Sequence, residues 1–194
     1  LMEITVDSSN ESYISKYGVL FDKDLETLIC CSGGKTGSFT IPDGVTNIGY
    51  YAFTGCTNLT NVTIPDSATN IEYSAFSYCI SLTNVTIPDS VTCVSTYTFY
   101  GCTSLTDVTI PNGVTSIGDN AFCDCDNLTD IYYKGTESEW NRIFIGSSAI
   151  PSDVIIHYAP TNSTLGSLEI NKVKVTLNEL QANNYQVTVP VIIN

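Results

Sequence analysis

Residues 41–63 read IPDGVTNIGYYAFTGCTNLTNVT, and this stretch decides the fold because the chain repeats it. The Ile-Pro pair that opens it returns at Ile64, Ile87 and Ile110, which sets a strict period of 23 residues. The positions that stay the same from unit to unit are mostly apolar. A fixed period of roughly 20 to 50 residues is typical of a solenoid, in which each unit buries its apolar edge against its neighbours.

Two extended segments are predicted in each unit. The spacing of Leu59, Val62 and Ile64 predicts a short strand that directs these side chains inward. Val45 and Ile48 form the next apolar pair and indicate a second extended segment. Each coil is therefore expected to carry one strand on each of two sides.

A return arm completes each unit. Ala52, Phe53 and Cys56 recur at a spacing of three, which suits a single helical or 3₁₀ turn. We expect two inward rows across the coils: Phe53, Phe76, Phe99 and Phe122, beside Cys56, Cys79, Cys102 and Cys125. The predicted fold is a repeat solenoid, mainly β with short helical or 3₁₀ turns, as a right-handed leucine-rich-repeat stack with irregular caps.

The period stops at both ends of the regular units, which predicts a division of the chain. The expected parts are a solenoid 1–158, with regular repeats 41–132 and irregular coils 1–40 and 133–158, then a linker 159–166 and a β-strand fragment 167–194 of a following domain. In the first cap, Leu1, Ile4 and Val6 repeat the strand spacing, so the chain is expected to begin within a coil. In the second cap, Thr136–Asn141 predicts a short helix with Trp140 packed inward.

The repeated core, I-P-x-x-V-T-x-I-x-x-x-A-F-x-x-C-x-x-L, resembles the 23-residue repeats of the BspA-like leucine-rich repeat family of bacterial surface proteins. The resemblance covers most of residues 1–158. It implies a secreted, wall-associated or surface protein that binds host or microbial macromolecules, with no catalytic residue and no cofactor. In the tail, Glu169, Ile170 and the segment Val187–Val191 weakly resemble the opening strands of cohesin-like β-sandwich domains.

Composition limits the partners of this chain. Its 20 acidic residues against 7 basic ones give a formal net charge of -13, which disfavours nucleic acid and anionic membrane surfaces. No uncharged apolar run approaches the roughly 20 residues that a membrane-spanning helix needs, so no membrane insertion by these residues is expected.

The cysteine pattern favours burial over a disulfide or a metal site. Cysteines in one repeat position lie a coil apart, about 4.8 Å, which exceeds the roughly 3.8 Å that a disulfide prefers between Cβ atoms. We therefore expect the cysteine row to be unpaired and poorly reactive. Cys30 with Cys31, Cys93 alone, and Cys123 with Cys125 do not match the Cys pairs of zinc sites.

Polar residues supply no complete catalytic set. His157 is the one histidine of the chain and falls in the terminal cap, where a polar capping role is expected. Asp124, Asp126 and Asp130 cluster near the last regular coil. They are expected to face water, and weak calcium binding is the alternative. An enzyme is accordingly the disfavoured class.

The remaining candidates are surface residues. Strand alternation predicts that Asn61 and Thr63 point outward, as do their counterparts in later coils, and Thr46 begins another threonine row. Aromatic residues at an edge often anchor partners. The candidate partner-binding residues lie in or before the return arm: Tyr50, Tyr51, Tyr73, Tyr97 and Tyr100, with Tyr78 in the same turn. The predicted function is a secreted or cell-surface recognition module for a protein or glycan. The alternative is a structural spacer.

Overall fold

The computed structural model describes residues 3–160 and two further strands, 168–170 and 173–175. The chain divides into two compact units, Leu1–Ala159 and Pro160–Asn194. In the first unit the strands and the helix follow in this order: β1 (Tyr13–Lys16), β2 (Val19–Asp22), β3 (Thr27–Cys31), β4 (Thr36–Thr40), β5 (Asn47–Ile48), β6 (Asn58–Thr63), β7 (Asn70–Ile71), β8 (Asn84–Thr86), β9 (Cys93–Val94), β10 (Asp107–Ile110), β11 (Ser116–Ile117), β12 (Asp130–Tyr133), α1 (Glu137–Trp140), β13 (Phe144–Ile145) and β14 (Ile155–Tyr158).

Each regular coil places one longer strand and one two-residue strand on two different sides. On the long-strand side, β8, β10, β12 and β14 form a continuous parallel sheet, and β4 pairs with β6 in parallel. On the short-strand side, β3, β5 and β7 pair in parallel, as do β9, β11 and β13. The mainly β solenoid predicted from the repeat is thereby confirmed.

The turn side of each coil comprises residues 49–57 and the segments 72–80, 95–103 and 118–126. Its backbone folds into successive tight turns, with Ala52 N donating to Gly49 O and Cys56 N donating to Phe53 O. The same segment also bonds to the next coil, because Phe53 N donates to Ala75 O at 2.7 Å. The predicted helical or 3₁₀ turn is therefore a run of tight turns, tied to its neighbours by parallel backbone bonds.

The core consists of the inward rows that the repeat predicts. Phe53, Phe76, Phe99 and Phe122 are all 0% exposed. Their successive rings stack with centroids 4.9, 5.3 and 5.4 Å apart and interplanar angles of 10° or less. The four cysteines of the predicted row are buried beside these rings. Both predicted inward rows are confirmed.

The first cap differs from the prediction. Residues 3–7 form no strand, so the strand expected at Ile4 and Val6 is wrong, and Leu1 lies outside the described residues. Instead, β1, β2 and β3 form an antiparallel meander, and β3 then joins the short-strand side. Ile4 N donates to Gly18 O beside the β1–β2 turn. This bond alone does not make the ladder of hydrogen bonds that a strand requires.

The second cap agrees with its prediction. Thr136 caps α1 by accepting a hydrogen bond from Glu139 N, and the Glu139 carboxylate accepts one from Thr136 N in return. Trp140 is half-buried and contacts the ring of Tyr133 at 5.1 Å. In the described part of the chain, α1 is the one helix, and no helix is long enough to cross a membrane.

Little of the second unit belongs to the described residues. Its two strands, β15 (Leu168–Ile170) and β16 (Val173–Val175), pair antiparallel. The segment Val187–Val191, on which the cohesin-like resemblance depends, lies outside the described residues. The division into a linker and a following domain stays a prediction.

Candidate functional site

Tyrosine rings on the turn side form one connected cluster across three coils. Tyr51 contacts Tyr73 at 5.4 Å between ring centroids, and Tyr73 contacts Tyr97 at 5.6 Å. Tyr97 contacts Tyr100, which in turn contacts Tyr78, both at 5.3 Å. All four contacts are edge-to-face, at interplanar angles of 60° to 90°. We call these five residues the tyrosine cluster.

The structure brings together four of the five tyrosines proposed from sequence. Tyr50 stands apart from the cluster and is 65% exposed, with no ring contact in the described residues. Tyr78, which the candidate set omitted, completes the cluster and is 51% exposed. Its ring packs against Gly101 of the next coil, where an added Cβ would lie 2.8 Å from Tyr78 Cδ1. Gly101 occupies the repeat position of Tyr78 in the next coil, and a glycine there leaves room for the Tyr78 ring.

Three tyrosines of the cluster occupy left-handed backbone positions. Each turn has two positions with positive φ: one holds Tyr51, Ser74, Tyr97 and Asn120, and the other holds Gly55, Tyr78, Gly101 and Asp124. The tyrosines at these positions have φ of 57° to 58°. The left-handed region costs an L residue about 1–2 kcal/mol, and glycine avoids that cost. The backbone alone therefore does not explain tyrosine at three of these positions.

The pKa values of two phenols in the cluster are raised, from different causes. A hydrogen bond with the Asp124 carboxylate is the main cause that raises the pKa of Tyr100, and Tyr78 adds to it. Burial, followed by the proximity of Tyr73, raises the pKa of Tyr51. Every charged side chain in residues 41–132 is acidic. The surface thus presents neutral aromatic rings with hydroxyl groups in an anionic surround.

Some rows of threonines donate hydrogen bonds from their hydroxyls to the previous coil, and one row does not. Thr69 Oγ1 donates to Thr46 O at 3.2 Å, and Thr106 Oγ1 donates to Thr83 O at 3.0 Å, so these hydroxyls bind one coil to the previous one. On the long-strand side the outward row is Thr63, Thr86 and Thr109. In the described residues these three hydroxyls make no hydrogen bond. The predicted outward row is confirmed, and it is the row left free for contact.

The buried thiols take part in packing. Cys79 Sγ donates to Phe53 O at 3.2 Å, Cys102 Sγ to Phe76 O at 3.1 Å, and so each thiol contacts the preceding coil. Cys31 extends the row, because its Sγ and that of Cys56 both donate to the carbonyl oxygen of Ser32 at 3.7 Å. Cys31 lies outside the regular repeat, so its part in this row is not evident from the sequence.

The remaining polar candidates lie at the surface. His157 Nε2 lies 2.6 Å from Asp130 Oδ1, so the histidine is held at the strand surface of the cap. Asp124 and Asp126 are exposed to solvent. Within the described residues, no group of three or more His, Cys, Asp or Glu side chains is placed to hold a metal ion.

Comparison with known proteins adds a family and three structural relatives. Residues 29–150 match the BspA type leucine rich repeat region, in 6 copies. The chain is 32% identical to a leucine rich cell surface protein from Faecalibacterium prausnitzii, with a TM-score of 0.58 over 78% of this chain and 46% of that one. It is 26% identical to a leucine-rich repeat protein from Eubacterium ventriosum, with a TM-score of 0.66 over 76% of this chain and 42% of that one.

A third structure shares the fold. The pneumococcal vaccine antigen PcpA is 23% identical, with a TM-score of 0.63 over 94% of this chain and 48% of that one. The chain spans less than half the length of each of these three proteins. Among curated protein sequences, none matched the chain. The family match covers more than half of the chain and includes the four regular coils. The chain therefore belongs to the BspA-type leucine-rich repeat family.

Proposed function

We propose that this solenoid is a secreted or cell-surface recognition module that binds a host or microbial protein or glycan, and that the tyrosine cluster is its contact surface. The observation that carries the proposal is the connected set of five tyrosine rings, three of which occupy left-handed backbone positions. Residues in strained backbone conformations cluster at ligand-binding, catalytic and switch sites. Tyrosine is also enriched among the residues that dominate binding energy at interfaces.

The shape of the cluster supports contact with a large partner. Edge-to-face packing fixes each ring against the next, so little side-chain entropy is lost when a partner docks. The rings come from three successive coils, which gives an extended surface and not a small-molecule pocket. The proposal includes an extracellular or surface location, in keeping with the relative that is named a cell surface protein. It assigns no catalytic residue and no cofactor.

The test is a binding screen followed by matched tyrosine variants. Wild-type protein is applied to arrays of host-surface and microbial-surface proteins and glycans in roughly 0.15 M salt, at which the Debye length is about 8 Å. Replacing Tyr51, Tyr73 and Tyr97 together with Ser is expected to abolish each specific signal. Replacing Tyr13 and Tyr17 with Ser is the control, because both are exposed and lie outside the cluster.

Two results would contradict the proposal. Signals that survive the triple replacement would place the contact surface elsewhere, and signals lost equally in the control would reflect general surface change. Circular dichroism and thermal unfolding of every variant separate lost binding from lost fold.

A structural spacer is the second candidate. Its support is the parallel pairing of successive coils, which joins β8, β10, β12 and β14 on the long-strand side and β9, β11 and β13 on the short-strand side. A spacer would give no reproducible array signal with the wild-type protein. That result would favour the spacer over the recognition module.

A further inference from the structure

A groove runs along the long-strand side, away from the tyrosine cluster. Its first part has a volume of about 340 Å³ and is lined by residues of two coils, among them Asn61, Thr63, Asn84 and Thr86. Lys134 reaches into this part and pairs with Asp89, its Nζ lying 2.7 Å from Oδ1. Lys134 also lines a second depression of about 330 Å³, so the two parts meet at this side chain.

The second part of the groove has aromatic walls. It is lined by Thr109, Tyr132, His157 and Tyr158. Tyr132 and His157 are partners in adjacent parallel strands, and their rings stack at 4.7 Å and 15°. Asp130 holds the histidine from one side, and Tyr132 remains 46% exposed. The outward row thus changes from threonine to aromatic side chains at one end of the groove.

The groove contains a row of threonine hydroxyls and one amide that are not engaged in hydrogen bonds. In the described residues, the hydroxyls of Thr63, Thr86 and Thr109 make no hydrogen bond. By contrast, the hydroxyls of Thr83 and Thr106 donate to backbone carbonyls of the preceding coil. The Asn61 amide likewise has no hydrogen-bond partner within the described part of the chain. Donors and acceptors are therefore repeated at the spacing of the coils, about 4.8 Å.

We propose that this groove binds a neutral, hydroxyl-rich oligosaccharide chain. A row of free threonine hydroxyls beside the free Asn61 amide matches a polymer that offers hydroxyls at regular intervals, and Tyr132 with His157 gives apolar surface for the C–H faces of a sugar ring. Asp66 and Asp89 line the groove together with the single cation Lys134, so acidic polysaccharides are repelled.

A peptide fits this groove less well. The apolar side chains beneath it, Val62 and Ile64, are only 5% and 8% exposed, so they offer no open pocket for an apolar anchor. Strands β10 and β12 are paired on both edges, which leaves no free edge there for an added peptide strand. An apolar anchor and strand addition to β10 or β12 are therefore both blocked at this surface.

The experiment measures binding of defined linear oligosaccharides by isothermal titration calorimetry. The probes are neutral hexasaccharides of glucose, mannose, galactose and xylose, with heparin and hyaluronan fragments as anionic counterparts. We expect at least one neutral chain to bind and the anionic chains not to bind. Replacing Thr63, Thr86 and Thr109 together with Val removes the free hydroxyls at nearly constant volume and is expected to weaken that binding about ten- to a hundredfold.

Matched variants make the result specific. Thr69→Val with Thr115→Val applies the same change to the short-strand side and is expected to leave sugar binding unchanged. Tyr132→Ser is expected to weaken sugar binding without changing which sugar is preferred. If the threonine triple variant proves unstable, Asn61→Ala tests the same groove through a single half-buried amide.

Three outcomes would overturn this inference: no neutral chain binds, an anionic chain binds more tightly, or binding survives the threonine and Asn61 replacements. The inference is independent of the tyrosine cluster. Sugar binding that is lost on replacing Tyr51, Tyr73 and Tyr97, but not on replacing the threonines, would reject the groove and support the cluster.

Discussion

The phenylalanine row inside the solenoid and the tyrosine cluster on its turn side both run across successive coils, but they are built differently. The phenylalanines occupy one repeat position and stack face to face, with angles of 4° to 10°. The tyrosines occupy several repeat positions and meet edge to face, at 60° to 90°. Regular repetition therefore builds the core, while departures from the repeat build a surface particular to this chain.

The largest difference between the two aromatic sets is expected in stability. Phe76→Ala removes a ring that is 0% exposed and stacked on both sides, so the free energy of unfolding should fall by about 3–5 kcal/mol. Urea denaturation followed by circular dichroism measures this change. Phe144→Ala is the control, because Phe144 is 68% exposed and should lose well under 1 kcal/mol. Equal losses would mean that the inner row does not carry the core.

The thiols beside the phenylalanine row are expected to make the core sensitive to alkali. Burial raises the pKa of Cys125 to about 12, and a hydrogen bond with Cys79, followed by burial, raises that of Cys102. Unfolded thiols titrate near pH 8.5, so folding holds these protons more tightly. The stability that they contribute is complete below about pH 8.5 and is lost as pH rises toward 12.

Variants separate this effect from other titrations. Replacing Cys102 and Cys125 with Ala should flatten the fall in unfolding free energy between roughly pH 8.5 and 11, whereas Cys93→Ala should not, because Cys93 is exposed. Thiol labelling at neutral pH gives a second readout. Cys93 should react first, and rapid reaction of the buried cysteines in the folded protein would contradict the prediction.

The sequence predicted the parts of the fold that follow from strict repetition. Phe53 and Cys56 recur at one position, and a side chain that repeats in register must stack on its counterpart in the next coil. Cys31 escaped this reasoning because it lies 25 residues before Cys56, outside the regular period. The strand expected at Ile4 and Val6 failed because an apolar spacing does not supply a hydrogen-bonding neighbour.

The candidate site was less predictable than the core. That tyrosines gather in the turns is visible in the sequence, but ring contacts between Tyr73 and Tyr97 depend on rotamers and on the left-handed backbone at Tyr97. Likewise, Thr63 and Thr106 are both threonines on the long-strand side, yet only Thr106 donates a hydrogen bond from its hydroxyl to the backbone. Side-chain orientation decides both cases. The tyrosine contacts differ from coil to coil, whereas the threonine hydroxyls behave alike along each row, and the repeat pattern does not say which row is bonded.

The smallest expected effect on stability belongs to Tyr51→Gly, which tests whether the tyrosine cluster serves contact or folding. At φ 58° glycine relieves about 1–2 kcal/mol of backbone strain, while the lost contact with Tyr73 removes about 0.5–1.5 kcal/mol. The two terms nearly cancel, so the free energy of unfolding should change by less than about 1 kcal/mol.

Partner binding found in the array screen should nevertheless weaken, because Tyr51 ends the ring cluster and is 55% exposed. Tyr50→Ser, one residue away but outside the cluster, is the matched comparison and should weaken binding less. A marked loss of stability in Tyr51→Gly with binding unchanged would show that the outer rings, like the inner ones, are held for the fold.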